Sequence, residues 1–196
     1  MREKATLRRT TLRRLRQQSE SSRQKKSLAI GRRLFRTRFY RQAQRLLCYA
    51  ALSGEVQTRA LLEKALLDGK KVFVPVVTDK ARRHMVAAQI KDLEKELFHP
   101  GHYGVPHPLR LSTREISLKT LDLVIVPGVA FDARGNRLGR GLGYFDRFLS
   151  RFPRSVPRVG LAFECQMVPE VPARRHDERM QAVVTEKQLY ENPDGR

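Results

Sequence analysis

The chain of 196 residues has no tryptophan, two cysteines and only 7% aromatic residues. Two cysteines cannot build a disulfide framework, and neither Cys48 nor Cys165 has neighbours that would complete a zinc site. Both stand in apolar, strand-like stretches and read as buried free thiols. No uninterrupted apolar run approaches the roughly 18 residues that cross a bilayer. Nor does an apolar stretch follow the basic N-terminus, as it would in a secretory signal. The expected setting is therefore a reducing cytoplasm. Negative charge is also scarce early, since only Glu3 and Glu20 are acidic between Arg2 and Arg45.

What is present is positive charge. Forty Lys and Arg against twenty Asp and Glu give a formal +20. A field of that sign attracts nucleic acid, nucleotides and other polyanions in a salt-dependent way. The bland reading of most individual arginines is a solvated helix face. An apolar content of 40% suffices for an ordinary core at this length. One domain over residues 1–196 is expected, with basic N-terminal helices over 5–38.

Apolar periodicity predicts alternating elements. Ala5–Gln18 reads as a helix, and a second, N-capped by Ser22, runs to about Arg38. Strands are expected at Arg45–Leu52, Lys71–Val77, Leu121–Val126, Arg158–Phe163 and Ala182–Thr185. Helices are expected at Gln57–Leu67 and Tyr144–Phe152. Pro75 implies a bend or an exposed edge in its strand. The alternation predicts an α/β fold, a mostly parallel sheet with helices on both faces in a Rossmann-like three-layer arrangement. In such sheets ligands bind beyond the carboxyl ends of the strands.

The stretch from Val126 to Asp146 falls at such an end and carries the strongest chemical signal. Gly135, Gly139, Gly141 and Gly143 permit sharp turns that direct backbone N–H groups at an anion. Arg137 and Arg140 add positive charge, and Asp146 offers a hard oxygen ligand for a metal beside phosphates. The loop is neither a P-loop nor a dinucleotide fingerprint. A tight strand-to-helix connection is the bland alternative.

The longer pattern runs from Pro127-Gly128 through Phe131-Asp132 to Arg137-Leu-Gly-Arg-Gly-Leu-Gly-Tyr-Phe-Asp146. It resembles the 5-formyltetrahydrofolate cyclo-ligase family, also called 5,10-methenyltetrahydrofolate synthetases. The resemblance extends over nearly the whole chain: Lys4-Ala-Thr-Leu-Arg8, Tyr49–Thr58 around Glu55, Gly160–Gln166, His176-Asp177 and Val184–Glu186 follow in family order. Phe145 stands where a second tyrosine is usual, and Leu142 where some relatives carry lysine and others glycine. Tyr103–Pro108 departs further, with His107 in place of an acid.

The resemblance implies an enzyme of the carbon–nitrogen ligase class, which converts 5-formyltetrahydrofolate and ATP to 5,10-methenyltetrahydrofolate, ADP and phosphate. It implies ATP contacts from Lys4, Arg8, Arg137, Leu138, Gly139, Arg140, Gly141, Leu142, Gly143, Tyr144 and Phe145. Folate contacts would come from Ala50, Glu55 and Tyr144, and Mg²⁺ ligands from Asp146 and Asp177. Arg140, Tyr144 and Asp146 are the catalytic candidates. A monomer is expected, acting on a folate that is free or polyglutamylated, with no membrane partner.

Plainer readings stand beside these. Lys4 and Arg8 on their own look like exposed helix charges, Glu55 like a cap for the following helix, and Asp177 like a partner for Arg174 or Arg179. His176 reads as a surface residue, and His84, His99 and His102 lack a metal-like grouping. Two other classes stay open on the residues alone: a basic nucleic-acid-binding module, and another small phosphoryl-transfer enzyme.

Overall fold

The computed structural model describes residues 2–93, 99–100, 106–107, 116–173 and 177–192. Tyr103, His102, Arg174, His176 and residues 193–196 lie outside the described residues, and only the backbone of His99 and His107 falls within them.

Three helices open the chain: α1 (Arg2–Arg16), α2 (Glu20–Arg36) and the short α3 (Arg38–Gln42). They lead into β1 (Arg45–Cys48), followed by α4 (Arg59–Leu67), β2 (Lys71–Asp79) and β3 (His84–Ile90). Two-residue strands β4 (His99–Pro100) and β5 (Pro106–His107) pair with each other. Next come β6 (Leu123–Val126), the small hairpin β7 (Ala130–Phe131) and β8 (Arg137–Leu138), and α5 (Tyr144–Leu149). The chain closes with β9 (Arg158–Leu161), β10 (Ala182–Val184) and β11 (Leu189–Glu191).

Seven strands form the main sheet in the order β11-β10-β9-β6-β1-β2-β3. The five central strands are parallel, and β3 and β11 flank them as antiparallel edges. The chain moves from β1 to β2 on one side and later to β6 on the other. That reversal places a crevice at the carboxyl ends of β1 and β6, where open α/β sheets bind ligands.

Side-chain alternation divides the core between the two faces of the sheet. Leu46, Cys48, Val72, Val74, Leu123, Ile125 and Val159 pack with Leu15, Ile30, Leu34, Leu61 and Leu62 from α1, α2 and α4. Leu47, Phe73, Val124, Val126 and Val183 pack on the opposite face with Phe148, Leu149 and Phe152 from α5 and the turn after it. Burial on both faces explains why these strands read as continuous apolar runs. The expected three-layer α/β fold is observed.

Several boundaries differ from the sequence reading. Ser19, not Ser22, caps α2: its side chain accepts from the Ser22 N–H at 3.2 Å. Ser22 is thus the recipient of the cap. The strand expected over Arg45–Leu52 ends at Cys48, because the following residues leave the sheet to line the crevice. Pro75 lies beyond Phe73, where the β1 pairing of β2 stops, so no β1 partner is lost there. It still pairs through β3, opposite Ala87. Cys165 belongs to a short 3-10 turn, Glu164–Gln166, and is half-buried, whereas Cys48 is buried in β1.

Candidate active site

The crevice is a cleft of about 920 Å³ including its open mouth. Its floor comes from strand ends: Tyr49 and Ala50 after β1, and Pro127 and Gly128 after β6. One wall is the glycine loop from Arg137 to Asp146, and Glu55 stands on the loop after β1.

Local packing positions the glycine loop. Phe131 is fully buried, its ring lodged between Gly128 and Gly160. A Cβ on either glycine would approach that ring to 2.5 or 2.6 Å, which real structures do not allow. Asp132 is also fully buried, and its carboxylate accepts four N–H groups: Arg134 N, Asn136 N, Asn136 Nδ2 and Val171 N. The charge is therefore satisfied and structural. Gln166 holds the strand end below by donating to the Gly128 and Val129 carbonyls at 2.8 and 3.0 Å. Sequence pieces that look like catalytic motif thus include a scaffold.

Gly141 and Gly143 have φ of 107° and 72°, a region that side chains rarely enter. Arg8 docks α1 on this turn: its Nε donates to the Gly139 carbonyl at 3.0 Å, and its guanidinium lies against Gly141. Lys4, one helical turn earlier, pairs with Asp177 at 2.6 Å. Leu7, between them, packs beside Ala130, Leu138 and Val171. Lys4 and Arg8 are therefore not free helix charges: they make a specific contact between α1, the loop and residue 177.

Arg137 does not present a free guanidinium to the cleft. Its side chain is only 3% exposed, Nη1 donates to the Pro127 carbonyl at 3.0 Å, and Nη2 pairs with Asp146. Phe145 lies against the same guanidinium, so the ring at the family's usual second tyrosine keeps a packing role. Arg137 spans the cleft floor and the loop, and it fixes where the Asp146 carboxylate points.

Arg140 and Glu55 meet across the mouth, Nε to Oε1 at 3.0 Å. The other carboxylate oxygen of Glu55 accepts from the Leu52 N–H at 2.9 Å. Glu55 therefore braces its own loop and does not cap α4, whose N-cap position is Thr58. Tyr49 anchors that loop from below, donating its hydroxyl to the Val56 carbonyl at 3.0 Å. Burial, then the Glu55 charge, pushes the Tyr49 phenol well above its ordinary range, so it stays protonated. An ion pair with Arg140 45% exposed is worth on the order of 0–1 kcal/mol, so incoming ligand groups can replace it.

The opposite wall escaped the sequence reading. The β2–β3 hairpin supplies Pro75, Val77 and Met85 to the cleft, and the Tyr144 hydroxyl donates to the Lys80 carbonyl at 3.4 Å. At the hairpin tip Arg83 has φ of 53°, and its guanidinium reaches the neighbourhood of Gly143. It is the only non-glycine residue with positive φ among the described residues. A positively charged group at this point faces a loop that has Leu142, 49% exposed, where some relatives have lysine.

No group of three or more His, Cys, Asp and Glu suited to a metal occurs among the described residues. Asp146 and Asp177 remain oxygen donors, each already beside a cation. No helix among the described residues is long and apolar enough to cross a membrane.

Known proteins resemble this chain over most of its length. The model of the 5-formyltetrahydrofolate cyclo-ligase family matches residues 1–186. A probable 5-formyltetrahydrofolate cyclo-ligase of Caenorhabditis elegans is 32% identical over 176 residues, covering 86% of this chain and 85% of its own. The 5-formyltetrahydrofolate cyclo-ligase of Escherichia coli K12 is 31% identical over 150 residues, 73% of this chain and 78% of its own. The solved 5,10-methenyltetrahydrofolate synthetase of Aquifex aeolicus superposes with a TM-score of 0.84 at 28% identity, covering 98% of this chain and 94% of its own. That of Mycoplasma pneumoniae shares the fold at 19% identity, with a TM-score of 0.73 over 93% of this chain and 98% of its own. With the family pattern matched from Met1 to Glu186, the chain belongs to the 5-formyltetrahydrofolate cyclo-ligase family.

Proposed function

We propose that the cleft converts 5-formyltetrahydrofolate and ATP to 5,10-methenyltetrahydrofolate, ADP and phosphate. The observation that carries this reading is the meeting of Arg140 and Glu55 across one cleft at the sheet's switch point. A cation suited to phosphate and a carboxylate suited to adjacent N–H donors face each other there.

The chemistry explains why positioning suffices. The formyl oxygen leaves poorly as hydroxide, so it first attacks the γ-phosphorus of ATP and ADP departs. The N10 nitrogen then attacks the activated formyl carbon, N10 loses its proton, and phosphate leaves as the ring closes. Both steps need in-line placement and charge neutralisation more than covalent help. Arg140, the N–H groups around Gly139, Gly141 and Gly143, and Lys4 and Arg8 on α1 serve the phosphates. Leu138, Leu142 and Phe145 shape the loop, with Arg137 holding Asp146 in place. Glu55 and Ala50 serve the pterin, and Tyr144 stands between the two substrates.

Asp146 fits a hard cation, since Arg137 occupies one of its oxygens and the side chain remains 35% exposed. Asp177, held by Lys4, is the second donor of the right type. Mg²⁺ held there would neutralise phosphate charge. With at most two protein carboxylates, its remaining ligands would be phosphate oxygens and water.

One catalytic unit over residues 1–196, working as a cytoplasmic monomer, accords with this reading. Residues as distant as Lys4 and Asp177 join at one loop. The folate is taken free or with its polyglutamate tail.

The test is absorbance in the methenyl-folate band with purified protein, 5-formyltetrahydrofolate and Mg-ATP, run with and without ATP. An ATP-dependent rise with one ADP per turnover is expected. A stable phosphorylated product without the band would instead identify another phosphoryl-transfer enzyme.

A further inference from the structure

The cleft uses little of the protein's positive charge. Residues 2–45 hold 16 Lys and Arg against two acids, so a net 14 of the formal +20 lies in less than a quarter of the chain. Of these, only Lys4 and Arg8 reach the cleft loop and its Asp177 neighbour.

The rest of α1 is organised. At 100° per residue, Arg2, Arg9, Arg13 and Arg16 fall within about 60° of one another, in a row about 21 Å long. All four are exposed. Leu7, Thr11 and Leu15 occupy the opposite face and pack inward, as do the site residues Lys4 and Arg8. None of the four row arginines forms an ion pair with a described residue, whereas Arg38, Arg59 and Arg82 pair with Glu191, Glu63 and Asp79. Like charges at Arg9–Arg13 and Arg13–Arg16 lie three or four residues apart, spacings that cost each pair about 0.2–0.5 kcal/mol of helix stability. A bound polyanion would relieve that repulsion.

We propose that this arginine row on α1 binds the phosphate backbone of a nucleic acid. Guanidinium groups take phosphate oxygens in a bidentate fork, and a row of four matches a repeating anion better than a single small ligand. A membrane surface is disfavoured because the row has no apolar side chains to insert. Among the described residues the exposed large hydrophobics are Leu28, Leu67 and Leu142, none of them on α1. Because the row is turned about 130° from the mean direction of Lys4 and Arg8, nucleic acid and ATP occupy different sides of one helix. The backbone supplies affinity without reading sequence, so RNA and DNA share the chemistry.

The test is fluorescence anisotropy with a labelled mixed-sequence RNA and a DNA duplex, each of roughly 20 nucleotides or base pairs, across a salt series. The wild type is compared with the fourfold variant Arg2→Gln, Arg9→Gln, Arg13→Gln, Arg16→Gln, in which glutamine preserves helix propensity. Binding to either probe, weakened at least tenfold in the variant, is expected. The slope of log affinity against log salt should become shallower by about three to four. Unchanged ATP-dependent cyclisation and circular dichroism in the variant separate this loss from misfolding and from failure of the cyclo-ligase reading. No binding by the wild type, or equal binding by the variant, would overturn the proposal. Binding only to phosphatidylserine vesicles would overturn it too, in favour of a membrane surface.

Discussion

The two walls of the cleft are built from different materials. The glycine-loop wall consists of residue types that are conspicuous in any sequence: four glycines, two arginines and an aspartate between Gly135 and Asp146. The hairpin wall, from β2 and β3, consists of Pro75, Val77 and Met85, which look like ordinary strand residues. One wall is defined by chemistry and the other by where the chain happens to run. A substitution on the first should therefore act on turnover, and one on the second should act on substrate fit.

The largest effect should come from Asp146→Ala, with turnover falling by about 100-fold or more and the fold retained at some cost in stability, because the buried Arg137 loses its partner. Circular dichroism and the absorbance assay together check this, and near-normal turnover would remove the carboxylate from the mechanism. Arg137→Ala should act on the same wall through stability. Losing a guanidinium that is 3% exposed leaves the Pro127 carbonyl unpaired and frees Asp146. A cost of about 2–3 kcal/mol is expected, below the fully buried range because Asp146 is partly exposed. A denaturant midpoint unchanged from wild type would contradict it.

Arg83→Asn sharpens the contrast from the hairpin side. Asparagine tolerates the left-handed backbone better than arginine, so relief of about 1 kcal/mol, or roughly 2–4 °C in Tm, is expected. If the guanidinium serves substrate phosphates beside Gly143, the KM for ATP should rise severalfold at the same time. A higher Tm with unchanged kinetics would make the hairpin tip merely strained.

The smallest effect concerns two buried phenols: Tyr49, in the floor that both walls share, and Tyr40 in α3, which does not line the cleft. Burial raises the phenols of Tyr49 and Tyr40 above their ordinary value of 10.0, aided by Glu55 and Asp68 respectively. The folded state then holds these protons more tightly than the unfolded chain. Their stabilisation is complete below about pH 10 and is lost as pH climbs above it. Denaturant midpoints measured from about pH 8 to 11 should fall at the alkaline end, and less steeply in Tyr49→Phe.

How much was legible in the sequence follows from the same contrast. The layers of the fold could be read because β1, β2, β6, β9 and β10 are buried on both faces and appear as apolar runs. The short β7–β8 hairpin and the edge strand β11 gave no such run, and the run of β3, Met85–Ala88, has no turn signal ahead of it to mark it off from β2. The turn into β3 was hidden for a particular reason: Arg83 occupies the left-handed position where glycine or asparagine would have signalled a hairpin. The glycine loop stood out as a site, but its internal wiring did not. Nothing in the spacing says that Arg137 turns inward to Asp146, or that Arg140 reaches 85 positions back to Glu55. Such pairings are made by the sheet's strand order, which only the fold supplies.

Under the proposed function, Arg140 and Glu55 divide the two substrates between opposite sides of one cleft. Steady-state kinetics of Glu55→Gln and Arg140→Gln, with ATP and 5-formyltetrahydrofolate varied separately, tests it most directly. Glu55→Gln should raise the folate KM more than the ATP KM, and Arg140→Gln should weaken ATP use and turnover more than folate binding. A Glu55→Gln effect confined to ATP, or wild-type kinetics in both variants, would show that the two residues do not divide the substrates in this way.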